Sequence, residues 1–148
     1  MMKYLIRICL VFLLMILSCQ HKEKSIKNIY DLHVQSIQNR DLDLFLNTIT
    51  ENKTFHYLST TGEKITSREE YYGLHREWFK KSGWIITFEL KEIYQAENFG
   101  YAMSLFTYED ETKDGKKISI TSYVTFIFQL ENGEWKIIAD VCTPIKRD

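Results

Sequence analysis

Residues 118–141 read ISITSYVTFIFQLENGEWKIIADV. Ile118, Ile120, Val124, Phe126, Phe128 and Leu130 alternate with Ser119, Thr121, Tyr123, Thr125 and Gln129. A period of two over that length predicts a long strand with one buried face. Asn132-Gly133 follows, and this pair between alternating segments signals a two-residue hairpin turn, because both positions tolerate positive φ. The second strand carries Trp135, Ile137, Ala139 and Val141 on one face. An unbroken register from the turn sets Leu130 opposite Trp135, Phe128 opposite Ile137 and Phe126 opposite Ala139. The other face then pairs Gln129 with Lys136, Ile127 with Ile138, Thr125 with Asp140 and Tyr123 with Cys142.

Working back from the hairpin, residues 113–116 (Lys-Asp-Gly-Lys) form another turn. Residues 101–111 form a strand with apolar side chains on both faces at Ala102, Met103, Leu105, Phe106 and Tyr108. Two-sided apolarity predicts a central strand, or one that meets a second subunit. Trp84, Ile86, Phe88 and Leu90 alternate along an earlier strand, and a slip near Glu92-Ile93 predicts a bulge where the sheet bends.

The N-terminal half is mainly helical. Residues 25–38 show apolar side chains at helical spacing (Ile26, Ile29, Tyr30, His33, Val34, Ile37), ended by Asn39-Arg40. Asp41 is placed to cap a short second helix with Leu42, Phe45, Leu46 and Ile49 inward. Residues 54–59 form a short strand with Phe55 and Tyr57 on one face and His56 and Leu58 on the other. Ser67-Arg68-Glu69-Glu70 fits a capping box. It opens a third helix whose buried face holds Tyr71, Leu74, His75, Trp78 and Phe79. Helices grouped before a run of antiparallel strands predict an α+β fold, with helices on one face of a strongly bent, mostly antiparallel sheet.

The first residues read differently. Lys3 and Arg7 precede an apolar run over residues 8–17, then Ser18-Cys19. This is the pattern of a secretory signal peptide. Ile16-Leu17-Ser18-Cys19 resembles a bacterial lipobox, whose cysteine becomes the lipidated N-terminus. The run is short of the ~20 apolar residues that span a bilayer. The expected organisation is a lipoprotein signal peptide at 1–18, a polar tether at 19–27 and one domain at 28–148. The chain would then be lipid-anchored in a bacterial cell envelope, facing the periplasm. Cleavage removes two of the 19 basic residues and leaves 17 against 20 acidic ones. That balance gives no electrostatic footprint for nucleic acid. With Cys19 lipidated, Cys142 has no disulfide partner, and no Cys/His spacing suggests zinc. No metal or cofactor is expected.

The helix end at 39–43 (Asn-Arg-Asp-Leu-Asp), Gly62 with Ser67-Arg68-Glu69-Glu70-Tyr71, Trp84, and residues 132–137 (Asn-Gly-Glu-Trp-Lys-Ile) together resemble the NTF2-like superfamily, in particular its SnoaL-like branch. The resemblance implies a cone of three N-terminal helices on a bent sheet, enclosing a cavity. It does not fix an activity, because the superfamily holds isomerases, dehydratases, cyclases, hydrolases and non-catalytic modules. Ketosteroid isomerases of this superfamily use a Tyr on the first helix, an Asp at the first strand and a second acid on a late strand. Those positions fall at His33, Tyr57 and Phe126 or Ile127. With no carboxylate at either acid position, isomerase chemistry of that kind is not expected.

The candidate catalytic residues are therefore His33, His75 and Asp140. Each has a plainer reading, as a hydrogen-bonded core histidine or an outward acid. Tyr30, Tyr57, Tyr71, Trp78 and Tyr108 are the candidate ligand-binding side chains, with Trp84 and Trp135 as further aromatics. They would line a small-ligand cavity or simply fill the core. Three readings stay open: a domain binding a small apolar or amphipathic molecule, a metal-independent small-molecule enzyme, or a dimerisation or protein-binding module. The last would use the outer sheet face at Tyr123, Ile127 and Ile138, which is also where a homodimer would form.

Overall fold

In the computed structural model, which describes residues 25–145, the Asn132-Gly133 turn forms with both residues at positive φ, 51° and 81°. The elements are α1 (Ile26–Asn39), α2 (Leu42–Thr48), β1 (Thr54–Leu58), β2 (Lys64–Ser67) and α3 (Arg68–Phe79). Four long strands follow: β3 (Ile85–Gln95), β4 (Phe99–Glu111), β5 (Lys117–Glu131) and β6 (Glu134–Pro144). They form one six-stranded sheet in the order β2-β1-β6-β5-β4-β3. All neighbours are antiparallel except β1 and β6. This is the α+β cone implied by the resemblance, three helices on an open, bent sheet. The signal peptide, Cys19 and most of the expected tether lie outside the described residues. No helix among the described residues is long and apolar enough to cross a membrane.

Local chemistry accounts for the helix ends. The Asp41 side chain accepts from the Leu44 N–H at 2.9 Å, and the Ser67 hydroxyl accepts from the Glu70 N–H at 3.4 Å. Arg40 ends α1 in the left-handed region at φ 57°. Its guanidinium lies 4.1 Å from the Trp84 ring and donates to the Trp84 carbonyl at 2.6 Å. Tertiary contacts thus hold a conformation usually given to glycine.

Two features depart from the sequence reading. Lys64–Ser67 is a strand, β2, pairing with β1. It is too short to show a period before the capping box begins. The second departure is in the deciding hairpin. Pairing runs as expected from Leu130–Trp135 to Phe128–Ile137, then shifts so that Ile127 meets Ala139 and Phe126 meets Asp140. Ile138 is the extra residue of a bulge. A one-residue slip turns every later side chain over. Asp140 therefore faces inward with Phe126 and is not paired with Thr125, Val141 turns outward, and Cys142 pairs with Val124 rather than Tyr123. The bulge expected in β3 is present at Lys91.

The core lies between the helices and the concave face. Phe45, Phe55, Phe126, Phe128, Ile49 and Ile137 are fully buried there. Thr50, Asn52 and Arg68 fasten the α2–β1 connection. The Thr50 hydroxyl and the Asn52 amide donate to the Glu131 carboxylate, and Arg68 Nε donates to the Thr50 carbonyl at 2.6 Å. On the outer face Tyr123 is 37 % exposed, and Ile127 and Ile138 are half-buried.

The N-terminus of α1 sits against Gly100 in β4. A Cβ there would lie 2.5 Å from the Tyr94 carbonyl oxygen and 2.8 Å from Ile26 Cδ1. Gly100→Ala should cost about 1–3 kcal/mol by overpacking. Gly73→Ala, inside α3 with open space around it, should stabilise by about 0.5–1 kcal/mol. Urea unfolding of both variants checks the pair, and equal effects would contradict this packing.

Candidate functional site

A cavity of about 260 Å³ opens between α3 and the concave sheet. β3 and β4 supply Ile86, Phe88, Phe106 and Tyr108. β5 supplies Ile120, Val124 and Phe126, and β6 supplies Asp140 and Cys142. α3 contributes Leu74, His75 and Trp78; Ile37 comes from α1, Tyr57 from β1, and Thr60 follows it. Leu74 and Ile120 are also 38 % and 39 % exposed, so they mark where the cavity meets solvent.

Asp140 is the one carboxylate in this wall. It is only 6 % exposed. Its Oδ2 accepts from the Tyr71 hydroxyl at 2.8 Å, and the Cys142 Sγ lies 4.0 Å from Oδ1. Burial raises its pKa to about 7, and the Tyr71 bond lowers it by a smaller amount. Its cross-strand neighbours are Tyr57 on β1 and Phe126 on β5. Burial, then the nearby Asp140 charge, raises the Tyr57 phenol and the Cys142 thiol above their usual values. Both stay neutral at physiological pH.

His75 lines the same cavity. Its Nδ1 is 3.0 Å from the Tyr71 carbonyl, which can only accept, so Nδ1 carries the proton and Nε2 a lone pair. Burial pushes its pKa down to about 4. His33 does not reach the wall. Its Nδ1 is 2.8 Å from Thr48 Oγ1, and that hydroxyl already donates to the Phe45 carbonyl. His33 therefore donates to Thr48, and its buried Nε2 has no partner. Burial first, and His75 second, push its pKa down to about 3.

Of the expected aromatics, Tyr57, Trp78 and Tyr108 stand in the wall. Tyr108 donates to Asp110 at 2.6 Å, leaving its ring to the cavity. Trp78 stacks on Trp84 at 4.4 Å. Tyr71 lies behind the wall, stacked 4.0 Å from Phe55, and reaches the site through Asp140. Tyr30 is buried away from it, with its hydroxyl 2.7 Å from Ser104 Oγ. The site thus brings His75, Asp140, Tyr57, Trp78 and Tyr108 together and leaves out His33 and Tyr30. Thr60, Val124 and Cys142 give no site signal in the sequence, and Cys142 turns inward only because of the β6 bulge. Among the described residues no group of three or more His, Cys, Asp or Glu side chains is placed to hold a metal ion.

The sequence model of the SnoaL-like domain matches residues 26–141. No protein of curated function matches the chain. Among solved structures, a ketosteroid isomerase-like protein from Erwinia carotovora atroseptica is 13 % identical, with a TM-score of 0.69 over 86 % of this chain and 100 % of its own. A candidate dehydratase of the NTF2-like family from Streptomyces avermitilis is 8 % identical, with a TM-score of 0.68 over 82 % and 95 %. A candidate calcium/calmodulin-dependent protein kinase II association domain from Thiobacillus denitrificans is 10 % identical, with a TM-score of 0.67 over 81 % and 94 %. At such identities the likeness is one of fold.

The buried titratable groups predict an acid-side stability profile. Both histidines have native values below the usual 6.5, so their contribution is full above pH 6.5 and is lost as pH falls toward 4 and 3. Asp140 is raised above 3.8, so its contribution is full below about pH 4 and is lost as pH rises through 7. Near pH 5 the two histidines outweigh the carboxyl by about one proton. Unfolding free energy should then fall by about 1.4 kcal/mol per pH unit on acidification between pH 6 and 4.5. Asp140→Asn should roughly double that slope. Urea unfolding gives the slopes, and the ¹³C signal of the Asp140 carboxyl should titrate near 7. A flat profile with a midpoint near 4 would contradict this picture.

Proposed function

The chain belongs to the SnoaL-like domain family, and from that premise we propose a lipid-anchored binding domain that takes a small apolar or amphipathic molecule into its cavity. The observation that carries this reading is the cavity itself, with a mainly aromatic and aliphatic wall and a few convergent polar groups at Asp140, His75 and Tyr57. Such a balance suits a ligand that buries its body and anchors one polar group. At about 260 Å³ it falls just below the usual range of ligand sites, which begins at about 300 Å³, and so suits only a small guest.

A thermal-melt screen of small apolar molecules tests the binding reading. A ligand present at 100 times its Kd should stabilise the fold by about 2.7 kcal/mol, a shift of several degrees. A panel in which nothing raises the melting temperature would overturn it.

Anchoring rests on the basic start, the apolar run and Ser18-Cys19. Cys19→Ser should abolish incorporation of labelled fatty acid and move the chain out of the membrane fraction. Retention with lipid label intact would count against Cys19 as the anchor.

A second reading, a metal-independent enzyme of isomerase, dehydratase or hydrolase type, is favoured by one observation. Asp140 holds its proton near neutrality inside an apolar cavity, as a general acid–base group requires. His75 brings a lone pair into the same space. This reading depends on the near-neutral titration of Asp140; a midpoint near 4 removes it.

A further inference from the structure

The cavity wall has one sign of charge. Among the described residues no Lys or Arg lines it, and Asp140 is its one carboxylate. Six rings surround the space, from Tyr57, Trp78, Phe88, Phe106, Tyr108 and Phe126. Two of its polar atoms offer only lone pairs, Asp140 Oδ1 and His75 Nε2, and the Tyr57 and Thr60 hydroxyls beside them are neutral and can donate or accept. Asp140 Oδ2 is taken by Tyr71, while Oδ1 has only the distant Cys142 thiol. The His75 proton is committed to the Tyr71 carbonyl, which leaves the Nε2 lone pair. A ligand carboxylate or phosphate would meet a buried negative charge and two lone pairs, with neutral hydroxyls as donors and no cation to offset the repulsion. A ligand ammonium would find the reverse: a carboxylate oxygen, a second acceptor and ring faces suited to a cation.

We infer that the cavity selects small hydrophobic amines, with the ammonium donating to Asp140 Oδ1 and the hydrocarbon body held among the aromatic rings of the wall. The inference rests on the binding reading above and adds the ligand's chemical class. The titratable groups around Asp140 make it testable by pH. Tyr71 and His75 face it or its cavity from α3, Tyr57 from β1 and Cys142 from β6. The two phenols and the thiol are raised and His75 is lowered, so none of them changes charge between pH 5 and 8. Asp140 alone does.

Isothermal titration of the purified full-length protein with three probes of similar shape tests this: 2-phenylethylamine, 2-phenylethanol and phenylacetate. At pH 8 the amine should bind about tenfold tighter than the alcohol, corresponding to one unpaired-to-paired buried charge. Phenylacetate should bind more weakly than either. Asp140→Asn should remove the amine's advantage, so that amine and alcohol bind this variant with equal affinity. Lowering the wild-type protein from pH 8 to 5 should weaken the amine about tenfold or more and leave the alcohol unchanged, a result that does not depend on the variant folding. An alcohol that binds as tightly as the amine, or an amine preference that survives Asp140→Asn, overturns the inference and leaves the binding reading intact. Failure of all three probes overturns both.

Discussion

The site depends on one extra residue in β6. Ile138 has no partner in the β5 ladder, and from that point the strand presents its other side. Without the bulge Asp140 would stand on the outer face and Val141 would take its place. With it, a carboxylate enters an apolar wall, next to Phe126 and Tyr57 and within reach of Tyr71. Burying a charged group there is costly unless it is neutralised or bonded, and both occur: the carboxyl holds its proton to about pH 7, and Tyr71 donates to it. The polar character of the cavity therefore follows from a backbone irregularity.

That irregularity also explains what the sequence could and could not tell. The hairpin, the capping residues Asp41 and Ser67, the break at Arg40 and the inward set of β3 were legible because each rests on local chemistry or a clean period. Strand β2 was not, since four residues cannot establish an alternation. The inward turn of Asp140 was not either. The run Ile137-Ile138-Ala139 is apolar at every position, so an inserted residue leaves no polar mark in the pattern. In β3 the slip at Lys91 was visible because charged residues flank it.

The aromatic side chains show a similar division. Composition gave an abundance of rings but could not sort wall from filling. Tyr30 and Tyr71 are as aromatic and as helical in spacing as Trp78, yet one bonds Ser104 and the other lies behind Asp140. His33 and His75 likewise share a spacing rule. Phe45 packs against both rings; they differ because the first donates to Thr48 inside the core, while the second stands at the cavity wall. Such distinctions come from packing across elements, which a single sequence does not display. The relatives in fold include proteins named for an isomerase, a dehydratase and an association domain, so the architecture leaves the choice of chemistry to these side chains.

The contact of Ile26 with Gly100 has a consequence for orientation. It holds the start of α1 at the end of the sheet where β4 begins and where Gly100 pairs with Phe128. The cavity meets solvent near Ile120, which pairs with Tyr108 eight positions further along β4. Eight strand residues span roughly 26 Å. The start of α1 and the cavity opening thus lie toward opposite ends of β4. A guest entering the cavity therefore need not displace or unfold the start of α1.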